Sequence, residues 1–390
     1  MTDYPDPDVP VDSMSPGELA AKLTAGEPVR LLDVRDRDEF EEWHIDGPSV
    51  TTTLVPYMRW LQADARDAIA ERAADIEGEG PVVVVCGHGE ASAYVAGLLS
   101  GAGIDAQNLA EGMRGWARVY ESRTVREDPT VVQYRRPSSG CLGYAVVSAG
   151  EAVVVDPLRA FADRYVADAR ERGVEIVAVL DTHVHADHVS GLRELAGETG
   201  ARRILPEPAV ERGVTYDVET VADGDALTVG TATVEAVHLP GHTTGTFGFV
   251  VGDVLCSGDS LFLDGVARPD LQDGPDPADL ARELHATLTD RLGRFDDGTL
   301  LAPGHYESST APAADGTYTA PLGAVRERLA AFGESPEAFV DRITATDPPR
   351  PTNAERIVAV NLGRETADTE DAFELDLGPN NCAVAAAGSD

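Results

Sequence analysis

Short apolar runs alternate with amphipathic stretches over the first part of the chain. Residues 29–34 and 81–86 have the apolar content and length of buried strands, and residues 64–76 form a stretch rich in alanine and arginine that predicts a helix. A second helical pattern follows Cys86 after a glycine-containing loop. Alternating strands and helices are typical of an α/β domain with a parallel sheet. We therefore predict a first domain over residues 11–122, in which Cys86 ends a strand.

The second region repeats a pattern in which strands precede helices. A charged stretch without clear periodicity, residues 119–136, leads into it. Strands are predicted at residues 141–148, 152–156, 176–180, 226–229, 232–239, 246–251 and 254–257, and helices at 161–172 and 189–196. Two successive halves of this kind predict a four-layer αββα sandwich over residues 128–345.

The C-terminal part of the chain has a weaker pattern. Two helices are predicted after Pro321. From Glu365 onward, acidic and small residues dominate, which is typical of a loose segment. We therefore predict a C-terminal extension, residues 346–390, that is partly disordered.

The charge of the chain restricts the classes of partner. The sequence has 31 basic and 68 acidic residues, for a net charge of −37, yet 43% of its residues are hydrophobic, as in a folded protein. Such an excess of acid argues against nucleic acid and anionic membranes as partners. Lys22 is the one lysine among the basic residues. In molar salt the Debye length is about 3 Å, so this surface suits a salt-rich cytoplasm; an acidic protein from a lysine-poor, GC-biased gene is the alternative.

The apolar runs and cysteines favour a cytoplasmic protein. No basic segment followed by an apolar stretch is found in residues 1–10, and no apolar run approaches the roughly 18 residues that span a bilayer. The four cysteines are widely spaced and form neither a disulfide framework nor a CxxC clip. The sequence leaves the oligomeric state open, a homodimer included.

A histidine-rich cluster follows the strand predicted at residues 176–180. Three imidazoles and one carboxylate fall within six residues, which is costly unless a cation occupies the cluster. Three later residues, each directly after a glycine, complete a candidate metal site. The seven residues are His183, His185, Asp187, His188, His242, Asp259 and His305. Histidines scattered by chance over a surface are the alternative, and the ordered spacing argues against it.

These segments resemble the metallo-β-lactamase fold over residues 129–307. The stretches 182–191, 257–262 and 265–270 are most similar to persulfide dioxygenases, also called sulfur dioxygenases. Residues 347–351 and 361–363 resemble the C-terminal tail of the same group, which argues against the separate helical substrate domain of glyoxalase II.

Two chemistries are compatible with the seven residues. A dinuclear zinc hydrolase would use His183, His185 and His242 at one site and Asp187, His188 and His305 at the other. Asp259 would bridge the two zinc ions, and a metal-bound hydroxide would attack a thioester. A mononuclear iron oxygenase needs only two histidines and one carboxylate on one face.

The resemblance to persulfide dioxygenases favours iron over zinc. It implies one Fe(II) held by His183, His242 and Asp259, with the other four residues orienting these ligands. The implied reaction oxidises a small thiol persulfide with O2 to sulfite. We expect Arg268 to bind the carboxylate of the substrate, since a guanidinium recognises planar oxyanions, with an ion pair to Asp270 as the alternative. The family usually has a histidine, an acid and then a tyrosine at the last ligand, whereas Tyr306 and Glu307 follow His305, so no tyrosine role is carried over.

The loop that begins with Cys86 has a second chemistry. Glycines at 87 and 89 precede a predicted helix, so backbone N–H groups can surround the sulfur and favour a thiolate or a persulfide anion. Together with residues 32–47 and 111–116, the loop resembles rhodanese domains over residues 14–120. Thiosulfate-using rhodaneses commonly have arginines in this loop, but here it has Glu90. The resemblance therefore implies a persulfide carrier or a weak sulfurtransferase, and an inert buried cysteine is the alternative.

Together these features predict a bifunctional enzyme of sulfur metabolism. A rhodanese module and a persulfide dioxygenase module would exchange sulfane sulfur through Cys86 or a shared small thiol. A dinuclear zinc thioesterase of the glyoxalase II type with a regulatory rhodanese module is the main alternative. A sulfur-binding sensor without enzymatic activity is a third hypothesis.

Overall fold

The computed structural model describes residue 5, residues 9–345 and residues 349–385, so Asp347 and Pro348 of the predicted tail motif lie outside the described residues. Contacts within the chain divide it into two compact units. The first comprises Met1–Tyr120 and Arg136–Ser139, and the second comprises Glu121–Arg135 and Gly140–Asp390. The predicted domain boundaries stay predictions, because compactness alone does not establish independent folding.

The first unit is built on a five-stranded parallel sheet in the order β1-β5-β4-β2-β3. Its strands are β1 (Asp12–Met14), β2 (Val29–Asp33), β3 (Val50–Leu54), β4 (Val82–Val85) and β5 (Ala106–Leu109). Its helices are α1 (Pro16–Thr24), α2 (Arg37–Glu42), α3 (Tyr57–Asp64), α4 (Ile69–Ala73), α5 (Glu90–Gly101) and α6 (Gly112–Ala117).

The apolar run of β4 is continuous because both of its faces are buried. Val82 and Val84 of β4 pack into one apolar cluster, and Val83 and Val85 pack into another. This arrangement is typical of parallel sheets. The strand predicted at residues 81–86 is therefore confirmed, and it lies at the centre of the sheet.

The second unit contains two larger sheets that share one core. The seven-stranded sheet has the order β12-β11-β10-β9-β8-β7-β6, and the six-stranded sheet has the order β13-β14-β15-β16-β18-β19. The strands of the first are β6 (Glu121–Glu127), β7 (Thr130–Arg136), β8 (Cys141–Ser148), β9 (Glu151–Val155), β10 (Glu175–Leu180), β11 (Arg202–Pro206) and β12 (Glu219–Val221). The other strands are β13 (Ala226–Val229), β14 (Ala232–His238), β15 (Phe247–Val251), β16 (Val254–Gly258), β17 (Gly265–Ala267), β18 (Leu300–Pro303), β19 (Ala320–Pro321) and β20 (Ala383–Ala385).

Helices cover the outer faces of the two sheets. Helices α7 and α8 pack on the seven-stranded sheet, while α10 contributes Ala281 and Leu284 to the common core. The helices are α7 (Ala162–Arg172), α8 (Leu192–Thr199), α9 (Glu207–Glu211), α10 (Pro277–Ala286), α11 (Leu322–Arg328), α12 (Pro336–Thr344), α13 (Ala354–Asn361) and α14 (Thr369–Leu375). The layers confirm the predicted αββα sandwich. Among the described helices, none has the length and apolarity required to cross a membrane.

The C-terminal segment differs from the prediction of a loose tail. Residues 365–385 include α14 and β20, and β20 pairs antiparallel with β17. Phe373 and Cys382 are buried. The acidic composition suggested a solvated segment, but one of these acids has a structural role. The carboxylate of Asp376 accepts a hydrogen bond from the backbone N–H of Val189 at 2.8 Å, which fixes the segment to the rest of the unit.

Candidate metal centre and thiolate loop

All seven residues predicted at the metal site come together at strand ends. The histidine-rich loop follows β10, His242 follows β14, Asp259 follows β16, and His305 follows β18. All seven residues are buried, Asp187 being the most exposed of them at 7%. The structure therefore unites side chains that are up to 122 residues apart in sequence, from His183 to His305.

Three of them form a compact face of two imidazoles and one carboxylate. Asp259 Oδ2 lies 3.9 Å from His183 Nε2 and 3.8 Å from His242 Nε2. Among the described residues, Asp259 Oδ2 and His183 Nε2 have no hydrogen-bond partner. Buried polar atoms without partners are costly, and a cation between them would compensate both. This donor set fits a divalent transition metal such as Fe(II).

Neighbouring groups fix the tautomer of each of these imidazoles. The Thr182 hydroxyl donates to Asp156 Oδ2 at 2.9 Å, so it accepts from the Nδ1–H of His183, also at 2.9 Å. The backbone carbonyl of Arg268 accepts from His242 Nδ1 at 2.9 Å. Both rings therefore keep the Nε2 lone pair directed at Asp259. Burial lowers the pKa of both histidines, which keeps them neutral and able to coordinate.

A second cluster surrounds Asp187. Asp187 Oδ2 lies 2.8 Å from His305 Nε2, 3.0 Å from His188 Nδ1 and 3.4 Å from Cys141 Sγ. His305 Nδ1 lies 2.7 Å from Asp259 Oδ1. Both nitrogens of His305 thus face carboxylates and act as donors. Burial opposes protonation of His305, but Asp259 and Asp187 outweigh it and raise its pKa well above the usual value.

Some atoms of this region remain without hydrogen bonds. His185 donates from Nε2 to Asp156 Oδ1 at 3.0 Å, which leaves its Nδ1 free, 4.0 Å from Asp187 Oδ1. Within the described ranges, Asp187 Oδ1 and His188 Nε2 likewise have no partner. Cys141, Asp187, His188 and His305 offer ligand atoms that all lie within 4.8 Å of one another. The region can therefore hold a second cation if one nitrogen of His305 coordinates it in place of its hydrogen bond to a carboxylate.

Two of the glycines that directly precede candidate ligands are required at their positions, for different reasons. Gly258, before Asp259, has a φ of 51°, which disfavours a side chain. Gly304, before His305, does not have a positive φ, but a Cβ there would lie 2.4 Å from Asp259 Oδ1. Gly304 is therefore required for the close approach of two strand ends.

Several residues that hold the site were not predicted from the sequence. Asp156 orients both His183, through Thr182, and His185. Asn361 donates from Nδ2 to the carbonyls of His185 and His188, at 3.0 and 2.9 Å. Asp156 directly follows an apolar strand, a position that could have marked it. Asn361 was identified only as part of a tail motif, and its role depends on a long-range contact.

Arg268 forms the ion pair with Asp270 that was the alternative to substrate binding. Its guanidinium is 1% exposed and forms a two-pronged ion pair with Asp270, with both N–O distances 2.7 Å. It also donates to the carbonyls of Pro349 and Asn381. The side chain is thus engaged with the protein, whereas its backbone carbonyl orients His242. The ion pair with Asp270 is thus formed, and the contact of Arg268 with substrate stays a prediction.

Cys86 lies where its strand meets the helix α5. The backbone N–H of Gly89 donates to its Sγ at 3.0 Å, and the hydroxyl of Ser92 lies 3.1 Å both from that sulfur and from the carbonyl of Gly89. Gly89, with a φ of 107°, is the residue before the helix. The backbone of the segment from Glu111 packs on the loop, and Met113 N–H donates to the carbonyl of Cys86 at 2.8 Å. The loop thus directs donors at the sulfur, as the sequence predicted.

Comparison with known families agrees with these two sites. Residues 15–119 match the family described as rhodanese-like domain, and residues 138–305 match the metallo-beta-lactamase superfamily. The chain therefore combines a rhodanese-like domain with a metallo-beta-lactamase domain. Its homologues in that superfamily are metal-dependent enzymes.

Particular relatives fall into two enzyme classes. A hydroxyacylglutathione hydrolase of Polaromonas sp. is 36% identical over 160 residues, which are 40% of this chain and 57% of that protein. Human mitochondrial persulfide dioxygenase ETHE1 is 30% identical over 161 residues, 40% of this chain and 59% of that protein. The crystal structure of ETHE1 from Myxococcus xanthus aligns with a TM-score of 0.52 and 25% identity, and covers 63% of this chain and all of that one. The chain thus spans less than two thirds of the length of these two curated relatives.

Proposed function

We propose that the second unit is a persulfide dioxygenase and that the first unit carries sulfane sulfur on Cys86. The reaction converts a small thiol persulfide, O2 and water into the free thiol and sulfurous acid, RSSH + O2 + H2O → RSH + H2SO3. The outer sulfur is oxidised and O2 accepts four electrons. One Fe(II) would be held by His183, His242 and Asp259.

The face formed by His183, His242 and Asp259 is the observation that carries this proposal. Asp259 Oδ2 lies 3.9 Å from His183 Nε2 and 3.8 Å from His242 Nε2. Among the described residues, Asp259 Oδ2 and His183 Nε2 have no hydrogen-bond partner. Two histidines and one carboxylate on one face are typical of mononuclear iron oxygenases.

The protein's own groups prepare this face. Thr182 and the carbonyl of Arg268 hold the two imidazoles in the coordinating tautomer. His305 Nδ1 lies 2.7 Å from Asp259 Oδ1 and would donate to it, which would leave Oδ2 as the coordinating oxygen and fix the carboxylate plane. A ferrous ion held there would supply the one-electron chemistry that O2 requires and open positions for substrate.

Cys86 would exchange sulfur with the same pool of small thiols. The Cys86 thiol takes the outer sulfur of RSSH, which releases RSH and forms a Cys86 persulfide. The Gly89 N–H and the Ser92 hydroxyl lie within hydrogen-bond distance of the sulfur and would stabilise its anion. Glu90, in place of the arginines of thiosulfate-using rhodaneses, favours a carrier or weak transferase.

A dinuclear zinc thioesterase is the second candidate. It is favoured by three atoms that have no hydrogen-bond partner in the part of the chain that the structure describes, and these atoms would complete two zinc sites: His185 Nδ1, Asp187 Oδ1 and His188 Nε2. The hydroxyacylglutathione hydrolase relative belongs to that class by name.

Metal counting in matched variants separates the two functions. Protein purified without oxygen should contain one iron per chain, and persulfide addition should consume O2 and release sulfite. His188→Gln should retain the iron, whereas His242→Gln should lose it. Two zinc ions per chain, one of them lost in His188→Gln, together with thioester hydrolysis and no O2 uptake, would reject the dioxygenase.

A further inference from the structure

Side chains from two other segments hold the C-terminal end of helix α13. The backbone carbonyls in the last turn of a helix lack partners within the helix. Arg193, in α8, donates from Nη2 to the carbonyl of Val360 at 2.8 Å. Tyr216, in the loop before β12, donates from its hydroxyl to the carbonyl of Asn361 at 3.0 Å. The guanidinium of Arg193 also lies over the Tyr216 ring, 5.0 Å from the ring centre, so the two side chains form a stacked pair at this helix end.

The loop that carries Tyr216 is packed closely against the end of α13. Thr215 donates from its backbone N–H to the carbonyl of Leu362 at 2.9 Å and from its hydroxyl to that of Gly363 at 2.7 Å. Gly363 has a φ of 78°, which disfavours a side chain. A Cβ at this position would also lie 2.7 Å from Cδ1 of the Tyr216 ring. The glycine therefore lets Tyr216 approach closely enough to bond the carbonyl of Asn361.

The side chain of Asn361 is bonded to three backbone groups of the histidine-rich loop. Its Nδ2 donates to the carbonyls of His185 and His188, and its Oδ1 accepts from the N–H of Ser190 at 2.9 Å. Asn361 is buried, and buried polar groups without partners are costly. The position of Asn361 therefore determines the position of the loop backbone between His185 and Ser190.

Arg193 connects the other end of the same loop with α13. It lies in the first turn of α8, which follows the loop in sequence. Val189, within the loop, also packs with Ile357 and Val360 in a small buried cluster. The loop is therefore fixed to the end of α13 at both of its ends, by Asn361 and by Arg193. Because metal–ligand distances tolerate deviations of only about 0.2 Å, a displacement of this helix end would disturb the candidate ligands on the loop.

We infer that Arg193 and Tyr216 are positioning residues of the metal centre. Through their bonds to the carbonyls of Val360 and Asn361, they hold the histidine-rich loop in the arrangement that binds metal. This role requires no contact of either side chain with the metal or the substrate. The inference rests on the proposed function only in that the loop binds a metal, and it applies to one iron and to two zinc ions alike.

Binding of Co(II) to the metal-free, full-length chain tests this role, because the visible spectrum of Co(II) reports its binding and its coordination geometry. Tyr216→Phe keeps the ring next to Arg193 and removes the hydroxyl. We expect this variant to raise the Kd for Co(II) about three- to tenfold, since one hydrogen bond is lost. Arg193→Gln removes a charged donor and should raise the Kd about tenfold, whereas Arg193→Lys keeps the charge and should bind Co(II) within about threefold of the parent protein.

Hydrogen exchange follows the loop itself in the absence of metal. The backbone N–H groups of Val189 and Ser190 should exchange with deuterium faster in Tyr216→Phe and Arg193→Gln than in the parent protein, because the loop is then held less firmly.

A matched arginine elsewhere in the second unit serves as the control. Arg326 donates from Nη2 to the backbone carbonyls of Leu292 and Phe295, at 2.7 and 2.9 Å. Arg326→Gln therefore removes the same kind of contact at a place that does not bond the histidine-rich loop. It should leave both the Kd for Co(II) and the exchange of the loop unchanged.

The results separate the positioning role from a general loss of stability. A Kd for Co(II) within about twofold of the parent value in both Tyr216→Phe and Arg193→Gln would overturn the inference. Weaker Co(II) binding without faster exchange of the loop, or an equal loss of affinity in Arg326→Gln, would also overturn it. If Co(II) binding weakens and the loop exchanges faster, but the iron-loaded parent protein oxidises no persulfide, the positioning role stands and the proposed function fails.

Discussion

Thr182 provides the sharpest test of how the site is organised. Its hydroxyl has one proton, which goes to Asp156 Oδ2, and therefore it accepts the Nδ1–H of His183, both at 2.9 Å. In Thr182→Val the shape of the side chain is retained but this acceptor is lost. His183 is then free to adopt the tautomer with the proton on Nε2, which cannot coordinate a metal.

The effect on metal affinity follows from the acceptor that His183 loses, while the lost bond to Asp156 adds to the cost in stability. A buried N–H without a partner costs about 1–3 kcal/mol, and the loss of a partner that orients a metal-bound histidine typically costs about 10–100-fold in metal affinity. We therefore expect metal binding to weaken by about 10–100-fold, measured by anaerobic competition with a chromogenic chelator.

A matched variant separates this effect from a loss of stability. Thr317 is also fully buried, and its hydroxyl also donates to a carboxylate, that of Asp315, at 2.7 Å. Thr317→Val should destabilise the fold to a similar degree and leave the metal affinity unchanged. Metal affinity of Thr182→Val within about twofold of the parent protein would refute the reasoning.

Further predictions concern the loop contacts, the close strand approach, the thiolate and the solvent. Asn361→Ala leaves two loop carbonyls and one N–H without their partner, so we expect a loss of roughly 2–4 kcal/mol in urea unfolding together with a lower metal content; unchanged unfolding would argue against this role. Gly304→Ala should abolish metal binding by displacing Asp259, as measured by metal analysis of folded protein, and normal metal content would contradict the packing argument. Cys86 should react with iodoacetamide at neutral pH faster than a free thiol, and Ser92→Ala should slow it by about three- to tenfold; a rate equal to that of a free thiol would sink the carrier role. Dialysis from molar to millimolar salt should unfold the protein, followed by circular dichroism, because a net charge of −37 is then poorly screened; full stability in dilute buffer would contradict it.

The metal cluster was predictable because its chemistry is local in sequence. Four of the seven residues lie within six positions, directly after an apolar strand. Buried strands such as β4 were predictable for a related reason, since each is a continuous apolar run. The buried strands and most of the candidate metal site were therefore predictable from residues that are close together in sequence.

Elements with buried polar residues escaped prediction. The stretch predicted as an irregular linker forms β6 and β7, in which Gln133 and Arg135 are buried and bonded. Gln133 bonds the backbone of Tyr318, and Arg135 pairs with Glu121. Buried polar residues interrupt the apolar pattern of a strand. Their partners lie on other strands or far away in sequence, so the sequence of the stretch does not reveal that they are buried.

The prediction of helix boundaries was wrong where a residue with a positive φ ends the helix. Of the helix predicted at residues 64–76, only Ile69–Ala73 (α4) is helical beyond Asp64, the last residue of α3, because Asp67 has a φ of 56° in the turn between the two helices. Among the residues described after Pro321, the structure has four α-helices, α11 to α14, where two were predicted. Their short lengths give few turns over which a periodicity could be recognised.

Oxygen uptake by the iron-loaded protein tests the central claim most directly. With a small thiol persulfide as substrate, the account predicts one O2 consumed and one sulfite formed for each persulfide, and no uptake by Asp259→Ala. Absence of uptake from protein that contains one iron per chain, or uptake that persists in Asp259→Ala, would contradict it.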